Sequence, residues 1–251
     1  MQTLTPTSGD LYMPTAHPTH VIPTQGTNEP GLTPTMPAVM IGNLHMHTDC
    51  SDGLFSYEEM VHTALNVGFN FIAVTDHSVS GVYSGCNSQT DCSESCATLV
   101  EKCRNETRLL CFPGTEITGR VHLLAIGIAP GVLETLSVAE QVAQIHALGG
   151  LAIAAHPFNS YWPYGDDELF NSDLDAMECI PGVRPSLAEQ QGLSAEYGLP
   201  CVYTSDAHDT NYLRVRYMSC SQPFVDVSGL KAALDAGACI IVTPTPKPKD
   251  E

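Results

Sequence analysis

Six histidines and three carboxylates stand at the ends of short apolar runs: His45, His47, His77, His122, His156 and His208, with Asp52, Glu116 and Asp206. They fall in the blocks Leu44-His45-Met46-His47 with Ser51-Asp52-Gly53, Thr75-Asp76-His77, Gly114-Thr115-Glu116, Ala155-His156-Pro157 and Ser205-Asp206-Ala207-His208, His122 following Glu116 by six residues. Neutral imidazole and carboxylate are natural ligands of Zn²⁺, Mn²⁺ and Fe²⁺. One polar residue at a strand end is ordinary. H-x-H and D-x-H in one chain, each delivered by an apolar run, point to a site for two or three divalent ions. His45 and His47 are two apart on a strand, so both face one side and can serve one ion together. Asp76 precedes His77 and reads as a residue that orients a neighbour. His62 and His146 lie on helices and read as ordinary helix-surface histidines.

The elements that must position these residues alternate between strand and helix. Ile41–His47, Phe69–Val74, Leu109–Phe112, Val121–Ile128, Leu151–Ala155, Leu174–Ile180, Cys201–Thr204 and Cys239–Val242 read as strands. Largely apolar runs such as Phe69–Val74 suit strands buried on both faces. Ser56 with Glu59, Ser137 with Glu140 and Ser186 with Glu189 form capping-box signatures for three helices, and Ser228–Ala236 reads as a fourth. The pattern predicts an α/β fold with a mainly parallel sheet or barrel. Candidate ligands follow the last apolar residue of several strands, the end at which the loops of an α/β barrel converge.

The motif order, H-x-H with S-D-G, then T-D-H, G-x-E, H-P and S-D-A-H, resembles the PHP family, the polymerase and histidinol phosphatase phosphoesterases. The resemblance runs from about Ile41 to Val242. It implies a distorted (β/α)7 TIM-like barrel carrying a trinuclear site at its mouth. It also implies a partition: His45, His47, Glu116 and Asp206 around one metal; Glu116 bridging to a second held by His122 and His156; Asp52, His77 and His208 around a third. The implied activity is hydrolysis of a small phosphomonoester or phosphodiester by a metal-bridging hydroxide, with Glu116, Asp206 and His208 as the catalytic set. His208 or Asp206 would also be placed to shuttle a proton. The ligand set suits Mn, Fe and Zn alike. Arg120, Arg184, Arg214 and Arg216 are candidates for holding phosphate through the guanidinium fork, and Arg184, in the loop past the strand ending at Ile180, is preferred among them. Tyr161, Trp162 and Tyr164 either wall the substrate or pack a loop. The competing readings are a hydrolase of a non-phosphate bond, amidohydrolase-like, and a non-catalytic metal-binding module.

Composition sets the remaining bounds. The chain has 251 residues, 43% of them hydrophobic, enough for one domain of roughly 200 residues with a real core. Ten Lys+Arg against 28 Asp+Glu give a net charge of −18. That balance argues for a small phosphorylated substrate and against long nucleic acid, whose phosphates favour a basic surface. No apolar run approaches the ~20 residues that span a bilayer. There is likewise no signal-peptide core at the N-terminus. Residues 1–40, rich in Thr and Pro, read as a disordered linker ahead of a hydrolase domain over 41–251. Cys86, Cys92, Cys96, Cys103 and Cys111 cluster in an insertion near 78–111 without C-x-x-C pairs, so disulfides are expected there. One of the five must stay free or pair outside the cluster, with Cys50, Cys220 or another. Cys179 and Cys201, within apolar runs, read as small buried hydrophobes. The linker and the cysteines together suggest an extracytoplasmic protein, tethered through residues 1–40, whose export signal has been removed or is not included.

Overall fold

The computed structural model of the protein describes residues 37–78, 96–119, 121–128, 135–158 and 167–243. Of the expectations above, those on most of the linker, on Arg120, on Tyr161, Trp162 and Tyr164, and on Cys86, Cys92 and the Cys96 side chain lie outside these residues. The elements run β1 (Met40–Asn43), α1 (Tyr57–Val67), β2 (Phe71–Ala73), α2 (Cys96–Glu106), β3 (Leu110–Phe112), β4 (Gly114–Ile117), β5 (Leu123–Ile126), α3 (Val138–Ala147), β6 (Leu151–Ala154), α4 (Asp167–Phe170), β7 (Ala176–Glu178), α5 (Leu187–Tyr197), β8 (Cys201–Val202), a 3₁₀ turn (Tyr212–Arg214), β9 (Tyr217–Cys220), α6 (Val227–Asp235) and β10 (Cys239–Val242).

Local chemistry sets the helix starts. Ser56, Ser137 and Ser186 each accept the backbone N–H three residues on, and Glu59, Glu140 and Glu189 reach back to complete the box. Asp226 caps α6 through the N–H of Gly229. Gly68 and Gly198, left-handed, end α1 and α5.

The strands form two five-stranded sheets, in the orders β10-β9-β1-β2-β3 and β4-β5-β6-β7-β8. The pairing is mixed, which corrects the expectation of a mainly parallel sheet. β1–β2, β2–β3, β6–β7 and β7–β8 are parallel, whereas β4–β5, β5–β6, β1–β9 and β9–β10 are antiparallel. No closed barrel ladder is present among the described residues. Only Pro113 separates β3 from β4, and a proline cannot donate to a ladder. The short β4–β5 connection has no helix to carry the chain back, so those strands must run antiparallel. Between the sheets, single backbone bridges join Met46 to Ala207 and His77 to Glu116.

The larger apolar cluster lies around Phe71, Phe112 and Leu123–Ile126, where Phe224 meets the Phe71 ring edge-on at 5.0 Å. A second, with Met46, Met60, Ile72 and Cys111, sits beneath α1 and α2. Disulfides link Cys103 to Cys111, Cys179 to Cys201 and Cys220 to Cys239, and Cys50 is also disulfide-bonded. The Cys179–Cys201 pair corrects the reading of those two as plain core residues. Cys201 opens β8 and Cys179 directly follows β7, its parallel neighbour, where apolar surroundings and a bridging partner look alike in sequence.

Gly42 faces Phe71 across the β1–β2 pair, and a Cβ there would fall 2.0 Å from the Phe71 carbonyl oxygen. The obstacle is backbone and cannot rotate away. Gly42→Ala is therefore expected to cost about 2–3 kcal/mol, read as a lower urea midpoint at unchanged m-value. A wild-type midpoint would show that the strand pair opens freely.

Candidate metal centre

The nine residues converge. β1 ends at Asn43, and His45 and His47 follow on an extended segment whose backbone bonds to the Ala207 loop, His47 N–H donating to Ala207 O at 2.9 Å. The other side of that segment takes the Thr75 N–H at Met46 O, 2.8 Å. The His45, Asp76 and Asp206 segments are thereby laced together by main chain before any side chain is considered.

Glu116, on β4, is the hub. Its Oε1 lies 2.8 Å from His122 Nδ1 and 2.9 Å from His156 Nε2. Its Oε2 faces His77 Nδ1 at 3.0 Å and the Nε2 atoms of His45 and His47 at 3.3 Å each. Asp206 Oδ1 sits 3.1 Å from His47 Nε2 and 3.3 Å from His45 Nε2. Asp52 lies 3.2 Å from His208 Nε2 and 3.5 Å from His77 Nε2. Three groups thus bring their ligand atoms within 4.8 Å of one another: His45, His47, Glu116 and Asp206; Glu116, His122 and His156; and His47, Asp52, His77 and His208. They follow the partition that the family resemblance implies, with His47 added to the third group. Its Nδ1 is 3.8 Å from Asp52 while its Nε2 faces Asp206.

The donor set fits divalent ions on this structure's own evidence. His45 Nε2 and His47 Nε2 point at each other 3.1 Å apart, two nitrogens that can share at most one proton between them. Glu116 Oε2 and His77 Nδ1 are buried without a hydrogen-bond partner. Lone pairs aimed at a common point and left unsatisfied are what a cation would complete.

Burial grades the site. His45, His47 and Glu116 are fully enclosed, whereas the Asp52 side chain is 55% exposed and His208 38%. Burial alone would depress the histidines, but the charges of Glu178, Glu116 and Asp206 outweigh it and hold His45 well above its ordinary range. His47 is likewise disfavoured as a cation by burial, yet its hydrogen bond to Asp206 and the nearby Glu116 carboxylate raise it to about 9. Burial works to raise Glu116; the charge of His45 and the bonds from His122 and His156 keep it well below the usual carboxylate range. Asp206 is lowered too, against burial, by His45 and His47. Without metal, these directions favour imidazolium–carboxylate pairing, with at most one proton between His45 Nε2 and His47 Nε2. His156 and Asp206 both adopt positive φ, 27° and 52°. Such backbone is sparsely populated for residues other than glycine and concentrates at functional sites.

Sequence reasoning missed two supporting residues. Asn43 Oδ1 accepts the His45 N–H at 3.1 Å and its amide donates to Ser205 Oγ at 2.7 Å, tying β1 to the Asp206 loop. Glu178, at the end of β7, accepts His45 Nδ1–H at 2.8 Å. Its place in the run Leu174–Ile180, which also holds Asp175, did not set it apart. Asp76 does orient neighbours: it takes the Thr48 N–H and the hydroxyls of Thr48 and Ser51, shaping the turn that presents Asp52. Burial pushes its carboxyl up, partly offset by those bonds. His62 pairs with Asn66 on α1 and His146 with Asp175, both away from the three groups. Of the arginines, Arg184 is exposed in the loop before α5 and Arg214 exposed in the 3₁₀ turn, while Arg216 is half-buried with Nη1 donating to Pro181 O at 3.3 Å.

Residues 43–154 match the family model described as PHP domain. This stretch, under half of the chain, is similar to a PHP domain. In Bacillus subtilis the DNA polymerase/3'-5' exonuclease PolX is 49% identical over 37 residues, a match covering 15% of this chain and only 6% of that protein. Among solved structures, a two-domain Bacteroides vulgatus protein containing a predicted PHP-like metal-dependent phosphoesterase superposes with TM-score 0.61 at 19% identity, over 87% of this chain and 69% of that one. Endonuclease Q, complexed with a 27-mer duplex bearing an abasic lesion at its active site, gives TM-score 0.55 at 15% identity, covering 79% and 57% of the two chains. The PHP match and these neighbours support a metal-dependent hydrolase.

The Endonuclease Q likeness overturns one expectation, that the acidic balance excludes long nucleic acid. Net charge sums the whole surface, including the capping-box glutamates of α1, α3 and α5. What meets a phosphate is the local field at the mouth, where cations held by a PHP site can dominate. No helix among the described residues is long and apolar enough to cross a membrane.

Proposed function

We propose that the chain is a metal-dependent phosphoesterase whose nine converging residues hold two or three divalent ions. The observation that carries this reading is Glu116, whose two oxygens serve separate histidine groups from a fully buried position. The likeness to a PHP domain supplies the metal-dependent class. Ions bound there would act as Lewis acids on the phosphoryl oxygens and lower the pKa of water enough for attack at neutral pH.

The protein's own residues have distinct tasks. His45, His47 and Asp206 fix the innermost group, away from solvent. His122 and His156 are held on the other face of Glu116. His208 donates from Nδ1 to the Asp206 carbonyl at 3.0 Å, leaving Nε2 free toward Asp52. That tautomer suits ligation better than proton shuttling. Arg216, whose Nε is buried without a partner, is the arginine we assign to the phosphate, with Arg184 and Arg214 as more exposed helpers. We further infer a distorted seven-stranded barrel. What supports it is the order β1, β2, the broken β3/β4 strand, then β5 to β8, with the His77–Glu116 and Met46–Ala207 bridges joining the halves beside the site. The disulfides favour an oxidising, extracytoplasmic compartment.

Elemental analysis of purified protein, beside hydrolysis of p-nitrophenyl phosphate, bis-p-nitrophenyl phosphate and an abasic duplex, with and without chelator, tests the proposal. Two to three metals per chain and chelator-sensitive cleavage of one of these esters are expected. Fewer than one metal per chain, unrecovered by added Mn²⁺, would remove it.

A further inference from the structure

Glu178 is a carboxylate with no solvent exposure, on a strand whose neighbours Ala176, Met177 and Cys179 are apolar and buried. Removing an ionised group from water costs several kcal/mol unless donors replace the lost hydration. Here they do, and they come from three separate segments. Oε1 accepts His45 Nδ1–H at 2.8 Å and the hydroxyl of Thr204; Oε2 accepts the backbone N–H of His156 at 2.5 Å.

Each of these bonds bears on a candidate ligand. A proton on His45 Nδ1 leaves the Nε2 lone pair pointing at Glu116, Asp206 and His47. The tautomer that can ligate is thus chosen from outside the cluster. At His156 the bond is to main chain, and it anchors a residue held at φ 27°, a conformation that needs outside support. Thr204 adds a tie to the segment leading into Asp206. His45 and His156 belong to different groups, and those two groups share Glu116.

We infer that Glu178 is the positioning residue for both Glu116-sharing groups, fixing the tautomer of His45 and the backbone of His156 so that the two bind metal as a unit. This rests on the proposed metal centre. The Asp52, His77 and His208 side chains make no bond to Glu178, so the outer group should be indifferent to it.

Substituting an amide exposes the logic. The glutamine side chain of Glu178→Gln would fill the same space, but one of its two polar atoms is a donor. If its oxygen serves His45 and Thr204, its NH₂ confronts the His156 N–H. If the oxygen serves His156, the NH₂ faces His45 Nδ1 and forces the proton to Nε2, where ligation needs a lone pair. One group fails in either orientation. Aspartate is shorter but keeps the charge and both acceptors.

The test is zinc binding to the full chain, by equilibrium dialysis with elemental analysis, for wild type, Glu178→Gln and Glu178→Asp. Glu178→Gln is expected to weaken uptake by two of the ions about 10–100-fold and leave the outermost unchanged. Glu178→Asp should recover more than Glu178→Gln. A role in packing alone predicts the reverse order, since glutamine is the closer match in shape, and that order would overturn the inference. So would wild-type zinc uptake by Glu178→Gln. Should the variants fail to fold, side-chain ¹⁵N–¹H correlation spectra of zinc-loaded wild type decide: the His45 proton is expected on Nδ1, and finding it on Nε2 refutes the assignment. Wild type that takes up no zinc at all defeats the metal centre itself, a failure distinct from that of Glu178.

Discussion

Glu116→Gln is expected to lower turnover of the cleaved ester by on the order of 10³-fold, about 4 kcal/mol of transition-state stabilisation, and to reduce the metal content by at least one ion per chain. The carboxylate has five ring nitrogens around its two oxygens, from His45, His47, His77, His122 and His156. An amide offers one oxygen. Its NH₂ would have to turn toward either the His122/His156 side or the His45/His47/His77 side, and a donor there cannot share a cation with imidazole lone pairs. The change also removes a buried negative charge that the surrounding histidines hold well below its ordinary range. Size is preserved, so the fold should survive. Glu140→Gln, in the exposed capping box of α3, is the matched control: glutamine also completes such a box, so stability should barely change and turnover should stay as it is. Steady-state kinetics with elemental analysis would check both. A Glu116→Gln protein with full metal content and turnover within tenfold of wild type would mean that the hub position is an accident of packing.

How legible this site was depends on what each residue does. His45, His47, Asp206 and His208 stand in H-x-H and D-x-H blocks, a spacing that already puts side chains on one side of a strand. Glu116 and His122 were readable because each is an ionisable residue beside a short apolar run, Glu116 within β4 and His122 just ahead of the wholly apolar β5. Glu178 and Asn43 were not read. Each acts through a ligand rather than as one, so neither belongs to a repeated motif, and only burial reveals that their polar atoms must be matched. The same limit applied to Cys179 and Cys201: a buried cysteine and a disulfide cysteine share one apolar sequence context until two strands are seen to be neighbours.

For the fold, capping boxes carried the most information. Ser56, Ser137 and Ser186 mark three helix starts because the bonds they make are local. Strand direction is not local, and the parallel expectation failed where it depended on long-range pairing. β9 escaped notice because Tyr217–Cys220 alternates half-buried and buried residues over four positions only, right after a polar loop. It completes an antiparallel edge with β10 and supplies Cys220 to the disulfide with Cys239. Composition misled once, in treating net charge as a property of the mouth. The field at the candidate site is decided by a few convergent groups, which a sum over 28 carboxylates does not describe.

The metal-free protein should lose stability across pH 6.5 to 9 while its appetite for metal grows over the same range. His47 has an ordinary value of 6.5 and is raised to about 9 in the fold. A raised histidine contributes stability that is fully present below its unfolded value and disappears as pH climbs through its folded one. Its contribution alone is on the order of 3 kcal/mol, and His45 and His156 shift in the same direction. Glu116 and Asp206 have the opposite sign: held low, they stabilise above the normal carboxylate range and cease to do so in acid. The apo domain is therefore most stable in the mildly acidic window between these transitions. Metal uptake runs the other way. Ligands must be deprotonated, so an ion that takes His47 below pH 9 has to expel a proton, and apparent affinity rises with pH by up to about tenfold per unit for each proton released. Calorimetric zinc titrations in two buffers of different ionisation enthalpy would count those protons. Urea midpoints of chelated protein across the same pH range would give the stability slope. Zinc binding without proton release at pH 7, or a flat apo midpoint from pH 6.5 to 9, would mean that the histidines are neutral before metal arrives and that the imidazolium–carboxylate pairs are not what hold the empty centre together.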